Sequence, residues 1–123
     1  MIGYVTLGTN DFERAIEFYD ELLALIGATR MMESERLVAW TSAPNTPAVC
    51  VVKPFDEKEA SVGNGVMVAL VVDSSDKVDA IHKKALELGG TDEGPPGPRG
   101  EGGFYAGYFR DLDGNKLNAF CMG

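Results

Sequence analysis

Histidine is almost missing from this chain: His82 is the only one in 123 residues. It falls one position past an apolar helix residue, with no acid or nucleophile placed beside it, so it reads as a partly exposed helix histidine rather than a catalytic group. Cysteine is scarce too. Cys50 and Cys121 each stand alone in a strand-like run and form no metal-type spacing. They read as buried free thiols, and no disulfide is expected between them. Cations are outnumbered, with 11 Lys and Arg against 19 Asp and Glu and a formal net charge of −8. That argues against nucleic acid and anionic membrane as partners, because both need clustered Lys and Arg. A cationic small ligand is compatible with the charge, though weakly argued by it. The longest apolar run, Val66 to Val72, is far too short to span a bilayer. "MIGYVTLG" has no basic region followed by an apolar core, so no signal peptide is read there and a cytoplasmic location is the expectation.

What is present suits one folded domain. Apolar residues make up 45% of the chain and charged residues 24%, which excludes a disordered reading. Ile2 to Leu7 has strand character. Asn10 to Ile26 places Phe12, Ala15, Ile16, Tyr19, Leu22, Leu23 and Ile26 on one helical face. Asn10 with Glu13 forms a capping-box pattern, and Gly27 ends the helix. Three short strands follow, 28–33, 36–41 and 48–53, and then a polar linker. The order then repeats: a strand at Val66 to Asp73, a helix from Ser74 or Ser75 to Leu88, and a short strand at Thr91 to Glu93. "GPPGPRGEGG" reads as a loop, and strands 104–111 and 116–121 are joined by the tight turn "LDGN".

Sliding the chain on itself by 63 positions lays Tyr4-Val5-Thr6-Leu7 on Met67-Val68-Ala69-Leu70 and Gly27-Ala28-Thr29 on Gly90-Thr91-Asp92 without a gap. The matching order of elements is the stronger signal. The expectation is therefore an α+β fold of two tandem βαβββ units in a single domain, 1–123. Unit one covers about 1–55, a linker 56–64, and unit two about 65–123. Helices lie outside, and a curved mixed sheet surrounds a central hollow. Alternation sends Val5, Leu7, Val68 and Leu70 under the helices and leaves Tyr4, Thr6, Met67 and Ala69 toward the hollow, with Asn118 assigned there as well.

The paired units, with "YVTLGTNDFERAIEFYDELLALIGA", "GNGVMVALVV" and "FRDLDGNKLNAFC", resemble the vicinal oxygen chelate superfamily. That group includes glyoxalase I, bleomycin-resistance proteins, fosfomycin-resistance enzymes and extradiol dioxygenases. "DLDGNKLN" is similar to the family ending "DPDGNxxE", with Leu112 in place of Pro. The resemblance covers essentially the whole chain. It implies a scaffold that runs many reactions. In metal-dependent members a divalent ion is held from the first and last strands of each unit, often by His and Glu. Those positions carry over to Tyr4, Met67, Asn118 and a residue within Val49 to Val52, and none of them is His or a carboxylate. Imidazole and carboxylate are what Mn, Fe, Ni or Zn would want here, so no metal and no other cofactor is expected.

The candidate ligand-binding residues are Tyr4, Thr6, Trp40, Met67, Tyr105, Tyr108 and Asn118. The functional expectation is a metal-free small-molecule binding protein, like the bleomycin-resistance branch, working as a homodimer. One alternative is a glyoxalase-like lyase or isomerase, metal-independent and using Tyr4. Another is an interaction module whose hollow is simply core. "DLDGN" lacks the length and the later acidic ligand of a calcium loop. The Gly/Pro loop 94–103 is read as either a plain connection or a lid bringing Arg99 or Glu101 to a ligand. Arg110 beside Asp111 reads as a strand-end ion pair.

Overall fold

The computed structural model describes every residue from Met1 to Gly123. Unit one comprises β1 (Tyr4–Gly8), α1 (Phe12–Ala24), β2 (Thr29–Glu33), β3 (Leu37–Thr41) and β4 (Ala48–Val52). Unit two comprises β5 (Val68–Val71), α2 (Ser75–Glu87), β6 (Thr91–Pro98), β7 (Phe104–Arg110) and β8 (Lys116–Met122). The strand orders β1-β4-β3-β2 and β5-β8-β7-β6 are one topology used twice. In each unit the first and last strands pair in parallel and the remaining pairs are antiparallel. The two tandem βαβββ units expected from the sequence are therefore the architecture. Their strands form two four-stranded sheets that do not close into a barrel.

The units are joined on their helix sides. One core of 18 buried residues takes Phe18, Tyr19, Leu22 and Leu23 from α1, Val78, Ile81 and Ala85 from α2, and the inward residues of both sheets. Each fully buried large side chain contributes roughly 2 kcal/mol before conformational entropy is counted. Hydrogen bonds then clasp the halves together. Tyr19 Oη donates to Asp111 Oδ2 at 2.5 Å, and Lys77 Nζ donates to the Leu25 carbonyl at 2.9 Å, where it satisfies the end of α1. Asp111 also accepts from the backbone N–H groups of Asp113 and Asn115 at 2.9 Å each, and the Asn115 side chain bridges it to the Gly8 carbonyl. The "DLDGN" hairpin thus organises itself around one buried carboxylate and presents it to the first helix. Arg110 pairs not with Asp111 but with Glu93, at 2.7 Å, because Asp111 points into the hairpin.

Several local expectations are corrected. The first helix is capped by Asp11, whose carboxylate accepts from the Arg14 N–H. Asn10 does something else: its side chain accepts from the Ala60 N–H at 2.7 Å and donates to the Ala60 carbonyl at 3.1 Å. Gly8 permits this approach, since a Cβ there would lie 3.0 Å from Ala60 Cβ. The linker is therefore pinned to unit one. The Gly/Pro segment is half strand: Gly94 to Pro98 belong to β6, with register shifts on both sides of Gly94. Proline is tolerated there because β6 is an edge strand. His82 is buried at 5% exposure, its Nε2 lies 2.9 Å from Asp92 Oδ1, and its ring meets the edge of Phe109.

Candidate functional site

Because the core lies on the helix sides, the opposite face of each sheet is free. On unit one, Tyr4 and Thr6 lie opposite Ala48 and Cys50 in register, which puts all four on that face. Tyr4 is 65% exposed. A β-bulge at Met31, between the pairs Arg30–Trp40 and Met32–Ala39, brings both Met31 and Met32 to the rim. The result is a pit of about 240 Å³ lined chiefly by Tyr4, Met31, Met32, Leu37, Ala39 and Cys50. Its floor of Ala39, Ala48 and Cys50 is buried, and burial pushes the Cys50 thiol above its ordinary value of 9.0. Cys50 is thereby a protonated, apolar wall and not a nucleophile. A larger groove of about 730 Å³ adjoins the pit through Tyr4 and Leu37 and is edged by Pro54, Phe55 and the linker residue Asp56.

On unit two, Leu117, Ala119 and Cys121 enter the core, so Lys116, Asn118 and Phe120 face away from α2. Asn118 is only 2% exposed, and its Oδ1 has no hydrogen-bond partner. It is the one buried side-chain polar atom in the chain left unsatisfied. Tyr108 lies directly opposite Asn118 in the β7–β8 register, and Ala69 flanks it from β5.

The sequence candidates separate accordingly. Tyr4 and Thr6 line the unit-one groove. Asn118 and Tyr108 meet on unit two. Met67 lies just before β5 and lines a third groove, about 630 Å³, between the units. Tyr4, Met67 and Asn118 therefore do not converge on one hollow within the chain, since the two sheets are separate. Trp40 is turned to the helix side, where its Nε1 donates to Asp20 and its ring packs on Tyr19. Tyr105 is also turned to the helix side and donates to Asp79 of α2 at 2.7 Å, which raises its hydroxyl pKa. Simple alternation along β3 and β7 carried the signal for both, because Ala39, one residue from Trp40, and Tyr108, three residues from Tyr105, face the other way. Met31, Met32, Leu37 and Cys50 were missed as lining residues. The bulge that turns Met31 has no sequence mark, whereas Cys50 follows from pairing β4 in register with β1.

Register also narrows the fourth position at which metal-dependent relatives place a ligand. Of Val49 to Val52, Cys50 and Val52 share the face of Tyr4, and of these two only Cys50 carries a donor atom and lines the same pit. The donors would be a phenol, a buried thiol, a thioether and a carboxamide, divided between two sheets. No group of three or more His, Cys, Asp or Glu side chains is placed to hold an ion. This donor set does not fit a divalent first-row metal, which takes imidazole and carboxylate.

The geometry can be set beside known proteins. The family model for the Glyoxalase/Bleomycin resistance protein/Dioxygenase superfamily matches residues 1–119. A glyoxalase/bleomycin resistance protein from Albidiferax ferrireducens is similar in structure, with a TM-score of 0.91 and 31% identity over 100% of this chain and 99% of that one. A lactoylglutathione lyase from Agrobacterium tumefaciens has a TM-score of 0.72 and 20% identity over 98% of this chain and 92% of its own. A genomically encoded fosfomycin resistance protein from Listeria monocytogenes has a TM-score of 0.73 and 18% identity, covering 100% and 93%. The last two show the shared fold alone. No curated protein matches. On the family match and the tandem βαβββ architecture together, the chain belongs to the Glyoxalase/Bleomycin resistance protein/Dioxygenase superfamily.

Proposed function

We propose that this chain binds a small organic molecule on the open sheet faces, without the divalent metal that metal-dependent relatives use. The observation that carries this reading is the unit-one pit. It is an apolar recess walled by a phenol ring, two thioethers and a neutral thiol, with a wider polar groove at its mouth. Methionine walls suit ligands of varied shape, since the thioether side chain adapts and contacts aromatic rings favourably. A volume of about 240 Å³ accommodates a one- or two-ring body. A recess of this kind supports binding over an interaction module with a filled hollow. The functional unit in this reading is a homodimer. β1 and β5 are both edge strands with unpaired backbone groups. Beside them Ile2, Tyr4, Val66 and Val71 are 57–69% exposed. A second copy pairing along these edges would cover them and wall the pit.

Indole is a suitable first probe within a panel of neutral aromatic fragments, read by thermal shift. Ligand binding to the native state raises the midpoint by mass action. Ala39→Phe fills the floor of the pit and is expected to abolish that rise. No stabilisation by any fragment at millimolar concentration, or equal stabilisation of wild type and Ala39→Phe, would overturn the proposal. Sedimentation showing a monomer at micromolar concentration would remove the dimer from it.

A further inference from the structure

Resting on the unit-one pit as a binding site, we infer that Met31 and Met32 form a reversible sulfoxidation site, at which a hydroperoxide closes the pit to apolar ligands. Placement comes first. In the β2–β3 register Arg30 lies opposite Trp40 and Glu33 opposite Val38, so both pair with residues that face the core. They are fastened on that side: Arg30 Nε donates to Asp20 at 2.9 Å, and Arg30 Nη1 donates to Glu33 at 2.7 Å. Between them stand Met31 and Met32, which the bulge sends together to the opposite face. Regular alternation would project only one of the two. Arg30 and Glu33 thus hold two adjacent thioethers at the rim of the pit, each 56% exposed. β2 is the outer strand of its sheet, remote from β1, so a dimer contact along β1 leaves this rim uncovered.

The chemistry of the pit then selects these two sulfurs. A thiol attacks peroxide as the thiolate, and Cys50 on the floor is 3% exposed and kept protonated by burial. A thioether needs no deprotonation, only access. In the step itself the peroxide O–O bond breaks and an S–O bond forms. The sulfur loses two electrons, and the second peroxide oxygen leaves as water, or as an alcohol from an organic hydroperoxide. The product is a polar, chiral side chain where an apolar, adaptable one stood. When an aromatic body enters the recess, a sulfoxide over it is desolvated without a donor to meet it, or turns outward and takes its apolar contact with it. Both weaken binding. Methionine sulfoxide reductases return the thioether at the expense of a dithiol, which becomes a disulfide as the oxygen leaves as water. The chain's other three methionines, Met1, Met67 and Met122, do not line the pit and serve as references.

The test treats the full chain with hydrogen peroxide, follows each methionine by peptide mass spectrometry, and follows indole by amide-resolved NMR of the ¹⁵N-labelled protein. Met31 and Met32 are expected to oxidise within about threefold of the rate of Met122, which is 64% exposed, while Cys50 stays unmodified. Indole binding should then weaken about fivefold or more, and treatment with both epimer-specific reductases should restore it. Indole present during the exposure should protect Met31 and Met32 but not Met122, because ligand and peroxide compete for the same rim. Met122→Leu should lose affinity on oxidation as wild type does. In Met31→Leu/Met32→Leu, peroxide should change that variant's own affinity by less than about twofold. Slow oxidation of Met31 and Met32, full oxidation with indole affinity unchanged, or the same loss in the double variant overturns this inference alone. Reduced wild type that binds no indole sinks the pit reading, and the switch with it.

Discussion

Replacing Tyr19 by Phe removes one oxygen from the joint between the two units. The Tyr19 ring is 1% exposed, and its hydroxyl donates at 2.5 Å to Asp111, itself 5% exposed. Burial first, and the Asp111 charge second, hold the Tyr19 hydroxyl well above its ordinary pKa, so it is a donor at every working pH. In Tyr19→Phe, Asp111 Oδ2 keeps only the Asn115 side chain, while Oδ1 keeps its two backbone donors. A hydrogen bond to a buried charged group is worth about 1.5–3 kcal/mol. For a domain of this size, with roughly 4 °C of midpoint per kcal/mol, the expected drop is about 6–12 °C. Asp111→Ala should cost more, about 3–5 kcal/mol, because it strands the phenol and both hairpin N–H groups together. Against a typical total of about 5–15 kcal/mol, that loss is a large share of the native stability. Because the bond links α1 to the β7–β8 hairpin, Tyr19→Phe combined with Asp111→Asn should be markedly less than additive. Chemical and thermal denaturation followed by circular dichroism measures all of this. A midpoint within 2 °C of wild type for Tyr19→Phe, or full additivity in the cycle, would refute the clasp.

Other substitutions probe neighbouring links. Asn118→Leu removes the unsatisfied carboxamide and should stabilise the chain by about 1–2 kcal/mol in urea unfolding; a loss of stability would show that Asn118 is a structural residue. Asn10→Ala deletes both bonds to Ala60 and should speed exchange of the Ala60 amide about tenfold, with global stability changed by less than about 1 kcal/mol. Arg30 hydrogen bonds hold the Asp20 carboxyl below its ordinary 3.8, against the opposing effect of burial and with further help from Trp40. The unfolded chain therefore takes up this proton first as pH falls. The contribution of Asp20 is complete above about pH 5 and is lost as pH drops through the depressed value, so Asp20→Asn should flatten acid unfolding below pH 4.

The fold was legible because apolar period, capping and turn residues agree twice over at a fixed offset. The faces of β1, β5 and β8 were legible for the same reason, since alternation alone turns Leu7, Leu70 and Leu117 inward and Tyr4 and Asn118 outward. Three things were not legible. The sequence cannot say that two sheets joined through their helix sides keep Tyr4 and Asn118 apart within one chain. Nor does it reveal that β6 continues through Gly94 to Pro98, because an edge strand accepts residues that read as a loop. His82 looked solvent-facing because its hydrogen-bond partner, Asp92, arrives from β6, a different element of the fold. Trp40 and Tyr105 were placed at the site by residue type, whereas their polar tips are spoken for by Asp20 and Asp79.

The most direct test of the central claim is the indole titration of the ¹⁵N-labelled protein, read residue by residue. Saturable shifts concentrated on the amides of Tyr4, Leu37, Ala39, Ala48 and Cys50, and absent in Ala39→Phe, are the predicted result. No saturable shift, or shifts centred on the helices or on unit two, would contradict it.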